Sequence, residues 1–441
     1  MRIRRSLRPL VSAERKPRGE CSDAGSASTL RAGGRLLVLR LVSYALLFVS
    51  GVVVSRSLGP AGRATYALPL NFAQIMAVIT ALSLDSSTAA MVARGEASVP
   101  TICRFLAASA LALGTAGLIV TTALGDALSH ALLAGASPTL VLLAALSVPL
   151  SLGVQFASTP LVLVGALRAF GWALVAGAAS QLAFIVTARI LLGSLTPAVA
   201  LIGMGLGLLV SLCGLAATLG RRFGPLRLRP RFAPGITKRA FRGGFAVQPS
   251  TLFIFLNLRV DLLIVGVLTT RRQAGFYSLS TTLASIVFLA ASQLAIGAMA
   301  RQTHAPLDEA NRYTRRFIAQ STIMTAAAAS IAAALAWPFV YLAFGRVWTP
   351  SVLPLVILMF AAVSFAAEGP ARTMLIRMER TRLVTGAAFA GLIVNVACNL
   401  LFIPPWGIVG AALASLVSYT LYTAVLLASF LRAGASPPVP A

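Results

Sequence analysis

The chain has 441 residues, of which 58% are hydrophobic and only 11% charged, with a mean hydropathy of +0.88. Soluble domains carry about 25% charged residues, so these proportions exclude a water-soluble globular fold and point to an all-α integral membrane protein. The formal net charge of +26 does not speak for nucleic acid as a partner. The basic residues sit in short loops between apolar runs, which is where cytoplasmic loops of membrane proteins collect them.

Residues 1–34 hold no apolar run long enough for a signal peptide. They read as a disordered basic cytoplasmic tail suited to anionic lipid. Twelve apolar segments of spanning length follow, at 36–55, 65–90, 102–124, 138–165, 171–192, 197–219, 245–268, 274–299, 316–344, 350–377, 383–403 and 406–431. The expected organisation is a six-helix lobe over 35–219, a basic cytoplasmic linker over 220–244, a second six-helix lobe over 245–432, and a disordered tail over 433–441. With the N-terminus cytoplasmic, nineteen Arg and Lys fall in internal loops and ten in the tail and first turns, against six outside. That bias predicts cytoplasmic termini. The linker is either a cationic handle for lipid head groups or a topogenic connection with a short interfacial helix.

Chemistry-bearing residues are few. Cys21, Cys103, Cys213 and Cys398 are scattered singly and read as free thiols. His130 and His304 are isolated, and there is no Ser/His/Asp, zinc or nucleotide motif. The expectation is therefore no catalytic residue, no metal, no cofactor and no enzyme. The run Gly203-Met204-Gly205-Leu206-Gly207 is read as close helix packing, since no strand precedes it.

The stretch FLNLRVDLLIVGV, residues 255–267, places Arg259 and Asp261 inside an apolar span. Each costs about 2.5–3.5 kcal/mol in hydrocarbon on the mildest scale. On a continuous helix they lie about 200° apart and cannot pair. Arg259 is then either a guanidinium fork for a diphosphate or half of an inter-helix ion pair. Asp261 is either a structural lock to another helix or a proton- or cation-coupling group. Asp85, ahead of Ser86 and Ser87, either caps a new helical turn or joins the coupling carboxylates. Glu368 has Arg372 four residues on, the spacing of a local ion pair, and is either that structural partner or a coupling carboxylate.

Arg40 and Arg56 mark the two ends of the first span. Arg56, Arg63 and the pair Arg271-Arg272 either line a vestibule at the outward end or are simply solvated. Asn257, Asn71 and Gln74 supply hydrogen-bonding groups inside the spans, as do Gln155, Gln181, Asn395 and Asn399. Their alternatives are contact with sugar hydroxyls and inter-helix adhesion.

The two halves open alike, with VVSRSLGPAGRATYAL at residues 53–68 and VGVLTTRRQAGFYSL at 265–279. Six spans per half give both halves the same orientation, a parallel repeat of the kind transporters rock about a central site. Those motifs, with LSLDSSTAAMVARG at 82–95 and NVACNLLFIPPWGIVGAALASLVSYTL at 395–421, resemble the multidrug, oligosaccharidyl-lipid and polysaccharide (MOP) export superfamily. Within it the resemblance is to the bacterial polysaccharide-biosynthesis flippases of the O-antigen type, over about residues 36–431. A departure is Leu268-Thr269, where the family usually has Leu-Gly. Twelve spans suit these flippases better than the lipid II flippases, which usually have fourteen.

The resemblance implies a V-shaped bundle of two lobes around a central cavity. It implies export of a lipid-linked oligosaccharide or polysaccharide precursor, of the isoprenoid diphosphate type, across the bacterial cytoplasmic membrane by alternating access. Cationic residues would meet the diphosphate, membrane lipid would surround the tail, and a polysaccharide polymerase or glycosyltransferases would work alongside. The alternative is a cation-coupled, MATE-like multidrug antiporter of the same superfamily.

Overall fold

The computed structural model describes residues 23–133, 135–224 and 234–433, and among them there is no strand. The first half comprises α1 (Asp23–Ala81), α2 (Leu84–Ala93), α3 (Val99–Ala127), the single turn α4 (Ser129–Leu132), α5 (Pro138–Ala145), α6 (Ser147–Leu163), α7 (Leu167–Leu192) and α8 (Pro197–Phe223). The second comprises α9 (Pro234–Asn257), α10 (Val260–Leu268), α11 (Arg271–His304), α12 (Leu307–Phe344), a 3-10 turn (Arg346–Ser351), α13 (Val352–Phe365), α14 (Glu368–Arg377) and α15 (Thr381–Ala433). Of the expected tails and linker, residues 1–22, 225–233 and 434–441 lie outside the described residues, while α1 already begins at Asp23 and α9 occupies the linker from Pro234 onward.

Among the described residues, eight helical stretches are long and apolar enough to cross a membrane, and the bent pair α9–α10 makes a ninth. Two of them are hairpins. The backbone of Gly59 (φ 65, ψ 179) interrupts α1, and that of Gly407 (φ 56, ψ −135) interrupts α15. Both conformations are open to glycine and costly for other residues. Counted on either side of those breaks and together with α11, the described chain makes twelve helical passages.

Breaks inside the passages have two origins. Those at Leu146, between α5 and α6, and at Ala366–Ala367, between α13 and α14, lie three to four residues before Pro149 and Pro370. A proline ring clashes with the carbonyl four residues back, so these breaks are local. The breaks at Leu82–Ser83 and Leu258–Arg259 have no such proline. Leu82 and Ser83 both take left-handed φ values, 50° and 47°, a conformation that costs about 1–3 kcal/mol per residue and persists only where neighbours hold it.

Helix packing is densest within each half, and the halves meet along one seam. Beyond Gly59, α1 lies against α10 and α11, and α2 lies against α9. Without a hydrophobic drive between helices in lipid, close approach through small residues carries such contacts. Gly177 of α7 lies so near α8 that a Cβ would meet the Gly207 carbonyl at 2.4 Å, and Gly203 packs on Phe184 and Ile185. The glycine run of α8 is thus a packing surface, with Gly205 facing open space.

On the seam itself, Gly275 sits against Pro60, and a Cβ would fall 1.8 Å from the Pro60 carbonyl oxygen. Gly275→Ala is expected to lower stability by about 1–3 kcal/mol through overpacking, read as a fall in the thermal unfolding midpoint in detergent. Gly205→Ala is expected to leave it unchanged.

Candidate functional site

A cavity of about 450 Å³ opens between the halves, walled by α1, α6, α7 and α8 on one side and by Arg259, α10 and α11 on the other. Past Gly59 and Pro60 the chain re-enters a helix, so residues 63, 66, 70, 71 and 74 share a face at helical spacing. Arg63, Tyr66, Leu70, Asn71 and Gln74 all line the cavity. Opposite them, Ser278, Thr281, Thr282 and Ser285 present hydroxyls from α11. Ser50 and Gln181, bonded at 3.3 Å, add polar groups from α1 and α7.

Arg63 is 5% exposed, although its sequence neighbourhood places it in a loop. Its Nε donates to Ser278 Oγ at 3.0 Å, and one terminal nitrogen donates to Thr282 Oγ1 at 3.0 Å and to the Ser278 carbonyl at 3.4 Å. The other terminal nitrogen donates to Ser55 Oγ. All of these acceptors are neutral. The alternative of a solvated loop arginine is therefore corrected: Arg63 is buried in the first turns of the re-entering helix. The helical spacing from Arg63 to Asn71 and Gln74 is the sequence signal that marks it.

Arg259 lines the same cavity, with its guanidinium over the Phe255 ring at 5.7 Å from the centroid. The reading of a continuous helix here is also corrected. Arg259 stands in a break (φ −132, ψ −23) where α9 and α10 meet at a 42° bend. Asn71 Nδ2 donates to the Arg259 carbonyl at 2.9 Å, a bond from the other half at the break, and leaves its own buried Oδ1 without a partner. No Asp or Glu lines the cavity among the described residues, so Arg63 and Arg259 are its charges.

Asp261 lies in the first turn of α10, 1% exposed and away from the cavity. Its carboxylate accepts from Tyr277 Oη at 2.6 Å, from Ser415 Oγ at 3.1 Å and from the Leu262 amide at 2.7 Å. These donors tie α10 to α11 and α15. The bonding continues through Ser418 and Asn395 to the Asn257 carbonyl at 3.4 Å. Asn257 is buried in that network and does not reach the cavity.

The remaining sequence candidates do not join the site. Arg40 lies over the Phe170 ring at 5.4 Å, and Arg56 donates to the Leu342 carbonyl at 2.5 Å. Arg271 is exposed, and Arg272, also exposed, lies over Phe276. Asp85 sits in the first turn of α2, but the capping position belongs to Ser83, whose hydroxyl donates to Gln248 Oε1 at 2.8 Å. Glu368 is buried, 2.7 Å from Arg372 Nε, and accepts from Tyr422 Oη at 3.0 Å. Glu368→Gln keeps the tyrosine bond and loses a partly exposed ion pair. It is expected to cost under about 1 kcal/mol of stability and to leave transport in reconstituted vesicles unchanged.

An all-helical, multi-pass fold with a cavity between its halves defines the class, a polytopic membrane protein. An inward-facing multidrug resistance MATE family transporter shares the fold at a TM-score of 0.69 and 16% identity, over 90% of this chain and 97% of that one. The lipid II flippase MurJ in an inward closed conformation does so at 0.68 and 12%, over 90% of each chain. A eukaryotic MATE transporter does so at 0.63 and 14%, over 93% and 98%. At such identities the likeness is one of fold alone. No curated protein sequence matches the chain. The polysaccharide biosynthesis protein family matches residues 30–300, and the chain belongs to that family.

Proposed function

We propose that the cavity passes the head group of a lipid-linked oligosaccharide or polysaccharide precursor, of the isoprenoid diphosphate type, across the bacterial cytoplasmic membrane. The observation that carries this reading is a cavity holding two arginines, Arg63 and Arg259, and no carboxylate among the described residues. Cationic groups inside a membrane bundle are costly and are kept where they meet substrate or each other's counter-ions. A guanidinium fork matches phosphate oxygens. The hydroxyls of Ser278, Thr281 and Thr282 and the amides of Asn71 and Gln74 offer partners to sugar hydroxyls.

Membership of the polysaccharide biosynthesis family and a fold shared with a lipid II flippase support the same reading. Both termini face the cytoplasm in this proposal, which puts the Gly59 turn and Arg63 at the outward end. The cycle is one of alternating access, and a polymerase or glycosyltransferases make and use the saccharide. The antiporter alternative has less support, because Asp261 and Glu368 are engaged in buried networks outside the cavity.

The test is reconstitution into vesicles holding a fluorescent lipid-linked oligosaccharide. Protein-dependent transfer between leaflets is expected. Its absence with lipid-linked saccharides of several compositions, from protein that remains folded, would remove the proposal.

A further inference from the structure

Two ties join the halves, and both engage the same re-entering stretch of the first half. At the Gly59 end, Pro60 is pressed on Gly275 and Arg63 crosses to Ser278 and Thr282. At the other end, Gln248 of α9 accepts from Ser83 and donates to the Val78 carbonyl at 2.8 Å, while Ser87 donates to the Ala240 carbonyl at 2.8 Å. The 450 Å³ between the halves matches a drug-sized ligand and is too small for an oligosaccharide diphosphate. Each end must therefore part in turn.

The two ties differ in chemistry. The Ser83 end is held by neutral groups, which an anion has little power to displace. The Gly59 end is held by a guanidinium that also faces the cavity and whose acceptors are hydroxyls and a carbonyl. A phosphate offers that guanidinium a formal counter-charge and two oxygens matched to its planar fork, neither of which the neutral hydroxyls and carbonyl supply.

We propose that Arg63 is a substrate-operated latch: the diphosphate of an isoprenyl diphosphate lipid takes the guanidinium from Ser278 and Thr282, and the Gly59 end of the seam then parts. The trigger rests on the substrate class proposed above, whereas the latch rests on the geometry alone. An empty cavity stays shut at the outward end, and a loaded one releases it.

The test uses full-length protein with its four cysteines replaced by serine, in lipid nanodiscs. Nitroxide labels go on Ala61→Cys and Arg272→Cys, exposed positions on the two facing turns, and pulsed electron paramagnetic resonance gives their separation. Without lipid, one short distance is expected. Isoprenyl diphosphate in the disc, or the double change Ser278→Ala with Thr282→Ala in its absence, is expected to raise the long-distance population at least about tenfold.

An unchanged distance distribution in the folded double variant would overturn the latch. Opening by inorganic pyrophosphate but not by the lipid would overturn the lipid as trigger. If the double variant opens while every lipid-linked saccharide fails in the vesicle assay, the substrate reading falls and the latch stands.

Discussion

Arg259→Ala is expected to slow transport of lipid-linked oligosaccharide in vesicles about 10- to 100-fold, with the thermal midpoint in detergent nearly unchanged. The guanidinium lies over Phe255 and pairs with no carboxylate among the described residues, so little of the fold hangs on it. Its loss removes charged hydrogen bonds to the diphosphate, worth about 1.5–3 kcal/mol, and 1.4 kcal/mol is tenfold. Arg259→Lys is expected to recover only part of the rate, because an ammonium replaces the planar fork with a point charge. A rate within twofold of the parent in Arg259→Ala would take this residue out of the substrate path.

Asp261→Ala is expected to produce the opposite split, a fall in stability of about 2–5 kcal/mol seen in the thermal midpoint and in yield. Truncation strands the Tyr277 hydroxyl, the Ser415 hydroxyl and the Leu262 amide, which converge on the carboxylate from three helices. Each buried donor left without a partner costs about 1–3 kcal/mol. Asp261→Asn keeps the shape and an acceptor oxygen, and is expected to cost about half as much and to preserve transport. A well-folded Asp261→Asn protein without transport would instead make the carboxylate a coupling group.

How much of this was legible before the fold can be argued from particular residues. Helix breaks before Pro149 and Pro370 follow from proline sterics, and the hairpins at Gly59 and Gly407 follow from the glycine–proline and proline–glycine punctuation of those turns. The ion pair of Glu368 with Arg372 follows from helical spacing. The break at Leu82–Ser83 is different. Its left-handed backbone is held by Gln248 and by Gly244, whose own Cβ would strike the Leu82 carbonyl at 2.3 Å, and those partners lie more than 160 residues away. The break at Arg259 likewise receives a bond from Asn71 of the other half. Read as a continuous helix, that span still sends Arg259 and Asp261 to different surfaces, but it misses the bend between them and the partners that each one finds.

By itself the sequence determines that this is a multi-pass helical membrane protein with an interior poor in acids, because hydropathy, loop charge and punctuation are local or additive properties. Only the tertiary structure decides which of the buried charges share a cavity. Arg63 and Arg259 meet there because two turns from opposite halves close on each other at Pro60 and Gly275, while Asp261 is drawn into a network with Tyr277 and Ser415. A polar group in lipid must find its partner somewhere in the bundle, and the partner it finds depends on packing between segments that the order of residues along the chain keeps far apart.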